Sequence, residues 1–152
     1  MHKTAAKLEA RLRELGLEIE VRELSDSTRT AADAAAAVGA EVGQIVKSLV
    51  FVAPDGPVIC LCAGDRRVDT AKLGDGVRAA RADEVREATG FAIGGVPPLG
   101  HDRPVRTVVD ESLRRFQLLW CAAGTPNAVF SVATERLLAA LPDATVGDVA
   151  ES

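Results

Sequence analysis

Histidine is almost absent from this chain, which has only His2 and His101, and cysteine is limited to Cys60, Cys62 and Cys121. An odd number of thiols argues against a disulfide framework and fits a reducing compartment. Cys60-x-Cys62 has too few partners to suggest a metal centre. On a strand, residues two apart share a face, where free cysteine behaves as a small apolar side chain. Neither metal nor cofactor is therefore expected. No apolar run approaches the length of a membrane span, and the first residues form no hydrophobic leader, so a cytoplasmic protein with no membrane partner is expected. Basic residues are not in surplus: 18 Lys and Arg stand against 22 Asp and Glu, a formal charge of −4. This balance argues against affinity based on broad phosphate contacts, so no DNA partner is expected, although contact with a single nucleic-acid end remains compatible. A glycine-rich phosphate loop with a Gly-Lys-Ser/Thr ending is missing. Neither a Ser-His-Asp nor a Cys-His constellation can be assembled, so no protein nucleophile is indicated.

The 152 residues present, 47% apolar and 26% charged, suffice for one domain with a real core. Leu8, Leu12 and Leu15 recur at helical spacing, which predicts a helix over residues 4–15 with these leucines on its core face, ended by Gly16. Residues 19–23 alternate apolar and polar, as in a half-buried strand. Thr30 can cap an alanine-rich helix over 31–38, stopped by Gly39. A short helix over 41–46 would bring Lys47 to the start of an apolar strand at 48–52. Pro54-Asp55-Gly56-Pro57 turns the chain into a second strand, 58–63, apolar on both faces and so central in its sheet. A short helix capped by Asp69 or Thr70 and a helix over 82–88 follow, with Gly90 just past the end of the latter. Strands are expected at 105–110, 118–122 and 128–132, the last two forming a hairpin through residues 123–127. Thr134 is placed to cap a final helix over 135–141. Helices interspersed with hairpin-linked strands, without a regular βαβ rhythm, indicate an α+β domain. The expected architecture is a mixed sheet, partly barrel-like and surrounded by helices.

Two features carry candidate chemistry. Residues 90–101 combine four glycines with Pro97-Pro98, giving a stiff backbone that exposes its amides; the segment reads either as a structural turn or as a wall shaped for a ligand. Lys47, beside a run of core residues, is either an ordinary amphipathic side chain reaching water or an ammonium held in a cleft to stabilise charge on oxygen. His101 lies in a surface-like His-Asp-Arg-Pro segment and is expected on a pocket rim or on the surface.

Three segments resemble the YbaK family: Gln44-Ile45-Val46-Lys47-Ser48-Leu49-Val50-Phe51, Thr89-Gly90-Phe91-Ala92-Ile93-Gly94-Gly95-Val96-Pro97-Pro98-Leu99-Gly100, and Ala123-Gly124-Thr125-Pro126-Asn127-Ala128. The similarity spans nearly the whole chain. This family includes free-standing deacylases of mischarged prolyl-tRNA and the editing insertion domain of bacterial prolyl-tRNA synthetase. The resemblance implies trans-editing hydrolysis of the ester at the 3′ CCA end of a mischarged tRNA, tRNA(Pro) carrying Ala, Cys or Ser. Water would be the attacking group, with prolyl-tRNA synthetase a possible partner. It implies that Lys47 contacts the terminal adenosine or charged groups of the substrate, and that the Gly94 backbone lies near the scissile ester. Phe51, Ile93, Gly95, Val96, Pro97, Ala123 and Gly124 would shape the amino-acid pocket, with Thr28 as a further contact. Ser48 stands where alanine-trimming members often carry asparagine, and the turn at 123–127 lacks a histidine that some of them use. The alternative left by the missing catalytic dyad is a non-catalytic module that binds an acceptor end, a nucleotide or a synthetase.

Overall fold

The structure, a computed structural model, describes residues 2–25 and 30–152. The first helix, α1 (Lys3–Glu14), buries Ala5, Leu8 and Leu12. Leu15, expected on that face, is 55% exposed, because it stands at the C-cap where the chain leaves the helix before Gly16. Residues 17–21 continue the predicted alternation, with Leu17, Ile19 and Val21 buried. Strand pairing is nevertheless limited to β1 (Arg22–Glu23) against β7 (Ala128–Ala133). Thr30 and Asp33 form a reciprocal capping box at the start of α2 (Ala31–Val38), and Gly39 ends that helix in the left-handed conformation.

The predicted helix before Lys47 is a single 3₁₀ turn, Val42–Gln44, and β2 (Val46–Ala53) begins two residues earlier than expected. Lys47 is therefore inside the strand and pairs across it with Cys62 of β3 (Gly56–Ala63). Pro54-Asp55 is the whole loop of this hairpin, since Ala53 already pairs with Gly56. Asp69 caps α3 (Thr70–Leu73), and α4 (Ala82–Thr89) ends on Gly90. The last helix, α5 (Thr134–Ala139), starts at the expected cap residue itself, one position earlier than predicted. The Thr134 hydroxyl, instead of capping, donates to the Phe116 carbonyl.

The α+β class with mixed pairing is observed, distributed over two sheets. One has the order β1-β7-β6, where β6 is Leu118–Ala122. The other has the order β4-β2-β3-β5-β8, with β4 at Arg78–Ala79, β5 at Arg106–Asp110 and β8 at Thr145–Gly147. In the second sheet β3, β5 and β8 run parallel while β2 is antiparallel to both its neighbours. The sheets meet at a bridge between Ile45 and Trp120 without closing into a barrel. As its composition predicts, β3 is buried from Val58 onward. Ile59, Leu61 and Ala63 join the main core on one side, and Val58 and Cys60 join a second apolar cluster on the other. The short strands β4 and β8 carry no run of alternating residues that would reveal them.

The carboxyl of Asp110, 1% exposed, ties the C-terminal segment to this sheet. It accepts hydrogen bonds from the Val149 and Ala150 amides at 2.9 and 3.1 Å, and from the Ser112 amide and hydroxyl. Burial works to raise its pKa, but these donors outweigh burial and hold it below the ordinary carboxylate value.

Candidate functional site

A strand with one neighbour missing presents its backbone edge, and β2 does so over its first half. β4 pairs only with Phe51 and Val52, and the Ala80 amide donates to the Val50 carbonyl just beyond. A cleft of about 500 Å³ runs along the remaining edge. Seven consecutive residues, 45–51, line it. Because strand side chains alternate between faces, consecutive lining requires the cleft to lie against the edge, within reach of both faces. One wall is α2, where Ala31 and Ala34 replace side-chain bulk with space. A second is formed by Trp120, Cys121 and Ala122 of β6, and a third by Ile93, Gly94 and Val96 with Pro126.

Lys47 carries the one charged side chain among the described residues lining this cleft; the remainder of the lining is apolar apart from Thr30 and Ser48. The lysine is half-buried, and its ammonium donates to the Arg66 carbonyl in the loop after β3. An ammonium has three donors, so this contact fixes the side chain and leaves others to meet a substrate. A cation at the margin of an apolar cleft suits an anionic or strongly polarised oxygen.

The Gly/Pro segment is a built wall. Gly94 adopts φ +86°, which side chains rarely allow, and is exposed at the cleft. A Cβ on Gly95 would lie 2.8 Å from the backbone of Thr125, so its absence lets the wall dock directly on the 123–127 turn. The Gly95 amide donates to the Ala92 carbonyl at 2.9 Å, closing the tight turn that presents Gly94. Further along, Arg11 donates to the Gly100 carbonyl and pairs with Asp102 at 3.2 Å. His101 does not line the cleft. Its Nε2–H donates to the Pro97 carbonyl at 2.7 Å and its ring meets Phe91 edge to face at 6.3 Å between centroids, so it clamps the wall from behind. Burial, followed in effect by the nearby Arg11 charge, lowers its pKa against the opposing Pro97 contact and Asp102.

Of the residues singled out in the sequence, Lys47, Phe51, Ile93, Gly94 and Val96 come together at the cleft. Gly95, Pro97, Ala123 and Gly124 do not line it; they form the packing behind its wall, with Pro97 buried and Gly124 set against Thr4 and Phe91. Thr28 lies outside the described residues. Sequence reasoning missed Trp120, whose indole lies under the Arg22 guanidinium at 5.1 Å, and the alanines of α2. The period of β6 separates Trp120 from Leu119 and Cys121, but which face meets a cleft depends on where the other sheet lies.

The thiols are free and buried. Burial pushes the Cys60 pKa up to about 12 and raises those of Cys62 and Cys121 as well, which removes them as nucleophiles at neutral pH. Among the described residues no three His, Cys, Asp or Glu side chains are grouped to hold a metal, and no helix is long and apolar enough to cross a membrane.

Residues 25–140 match the model of the aminoacyl-tRNA editing domain family. A crystal structure described as that of a candidate trans-editing enzyme for prolyl-tRNA synthetase superposes with a TM-score of 0.93 and 46% identity, covering 100% of this chain and 99% of that one. The protein YwhH of Bacillus subtilis is 34% identical over 125 residues, 79% of this chain and 80% of its own length. EbsC of Enterococcus faecalis, named as a candidate Cys-tRNA(Pro)/Cys-tRNA(Cys) deacylase, is 27% identical over 120 residues, 75% of this chain and 73% of its own. The chain belongs to the aminoacyl-tRNA editing domain family.

Proposed function

We propose that this protein is a trans-editing deacylase that hydrolyses the ester of a mischarged tRNA(Pro), admitting the 3′ CCA end to the cleft along β2. The single observation that carries the reading is an apolar cleft at an open strand edge, lined by one charged residue, Lys47, and by the exposed glycine backbone of Gly94. Membership of the editing family supports it, as do the names of EbsC and of the structural relative, both of which refer to tRNA(Pro) or its synthetase.

An aminoacyl ester is already activated, so the enzyme needs chiefly to position it and to stabilise the oxyanion formed when water attacks. Lys47 would hold the charged or polar groups of the terminal nucleotide. The backbone around Gly94 would face the ester carbonyl. The apolar walls would size the amino-acid side chain, and buried thiols and a histidine locked behind the wall leave water as the attacking group. One domain would suffice for this chemistry, with prolyl-tRNA synthetase supplying further contacts to the tRNA and the cytoplasm as the site of action. Incubation with tRNA(Pro) charged in turn with alanine, cysteine, serine and threonine tests the proposal: release of at least one amino acid is expected. Binding of the charged tRNA without turnover would identify a recognition module instead.

A further inference from the structure

Ser48 follows Lys47 on β2 and lines the same cleft. Its Oγ is the one buried side-chain oxygen or nitrogen among the described residues with no hydrogen-bond partner. The surroundings explain why. On its face of the strand Ser48 is flanked by Val46 and Val50, both members of the main core, and it pairs across to Leu61. A buried hydroxyl left unpaired is destabilising, and alanine would fill this position without that penalty. Polar groups of this kind are normally satisfied, so an orphan on a residue that lines the cleft, its oxygen turned away from the open space and one χ1 rotation from it, indicates a partner that arrives with the ligand.

Resting on the deacylase reading, we infer that Ser48 Oγ is the specificity group for the amino-acid side chain and that it pairs with a hydroxyl, so the preferred substrates are seryl or threonyl esters and not the alanyl ester. A hydroxyl both donates and accepts, and rotation about the single χ1 bond moves it between staggered positions, so it can answer a substrate hydroxyl in either sense. Apart from Lys47 and Thr30, whose hydroxyl already accepts from the Asp33 amide, the side chains lining the cleft are aliphatic, sulfur-bearing or aromatic, and an apolar pocket alone separates a hydroxyl from a methyl group poorly. A site that hydrogen-bonds the hydroxyl leaves its own group unpaired when the analogue lacks it. Ser48 is a better candidate for this task than Lys47, because the lysine projects from the opposite face of β2, beside Cys62, and its ammonium is engaged at Arg66.

The test is deacylation of tRNA(Pro) charged with serine, threonine or alanine by the full chain, comparing wild type with Ser48→Ala and Ser48→Thr. Wild type is expected to favour seryl or threonyl over alanyl ester by about tenfold or more in kcat/KM. In Ser48→Ala the preference should collapse to within about threefold with no fall in melting temperature, and Ser48→Thr, which keeps the hydroxyl, should restore it. The seryl and threonyl arms distinguish the two sources of the hydroxyl. An equal loss on all three esters would place Ser48 against the ribose or the reacting centre, which the substrates share, and would overturn the inference. A wild-type preference for alanyl ester would overturn it without any variant being made. If wild type hydrolyses none of the three esters but releases another amino acid from tRNA(Pro), the inference fails while the deacylase reading stands. If no ester is hydrolysed, that reading has failed first.

Discussion

At the scale of single residues, Lys47 lines the cleft as the sequence suggests, whereas His101, expected on a pocket rim or on the surface, packs behind the wall. A near-neutral imidazole is the usual general base, yet His101 donates to Pro97 behind the wall, while Lys47 lines the cleft. Lys47→Ala should lower kcat/KM by roughly 10²–10³-fold, the scale of removing one preorganised group that stabilises a developing charge. Because the side chain is only half-buried, the stability change should stay within about 0.5 kcal/mol. Wild-type turnover in that variant would remove Lys47 from the mechanism. His101 makes a separate prediction about pH. Burial lowers its pKa below the reference 6.5, so near pH 6 the unfolded chain binds more protons than the folded one. Its contribution to stability is present above 6.5 and lost as pH falls through the depressed folded value. Thermal melts between pH 7.5 and 5 should show the wild-type midpoint falling relative to that of His101→Gln, which keeps a donor for Pro97 but cannot titrate. Parallel curves for the two proteins would contradict the role given to the imidazole.

Among the secondary elements, the site depends on loops held against each other. Gly95 is the point of closest approach between the 91–100 wall and the 123–127 turn, so Gly95→Ala must push them apart by several tenths of an ångström. A cost of about 1–3 kcal/mol is expected for overpacking of this kind. Denaturant melts would measure it, and deacylation should fall by more than the loss of folded protein explains. An unchanged melt would mean that the wall is not seated as described. The C-terminal segment is anchored in the same sense by Asp110. Asp110→Ala leaves the amides of Val149 and Ala150 without their acceptor, and a loss of about 2–4 kcal/mol should appear in denaturant melts at pH 7. Since hydrogen bonding depresses the Asp110 pKa overall, the difference between the two proteins should shrink as pH drops below the reference 3.8.

For the whole molecule, the thiols report on cooperativity. Cys60 and Cys62 lie in the central strand β3 and Cys121 in β6, so the three sample both sheets. With burial raising all three pKa values, an alkylating reagent at pH 8 should leave them unmodified in the native protein and label all three in denaturant. Rapid native labelling of Cys121 alone would show that the smaller sheet opens independently of the larger one.

Local sequence carried much of this organisation. The caps at Thr30 and Asp69, the stop at Gly90 and the two hairpins are short-range consequences of side-chain donors, left-handed glycines and turn residues, and they are found where the residues place them. Where reading by segment fell short, distant contacts decided the outcome. Leu15 looks like part of an apolar stripe until the helix ends beneath it, and β4 and β8 exist only because longer strands offer them an edge. The sequence by itself determined which strand is central and that Lys47 and the glycine wall belong to one family pattern. Only the tertiary structure decided that the cleft follows an unpaired strand edge. There residues from both faces of β2 reach the same space, so that Lys47 and Ser48, adjacent in the chain and opposite in direction, border one cleft. Strand alternation is a local property, whereas an edge is defined by the neighbour that fails to pair with it.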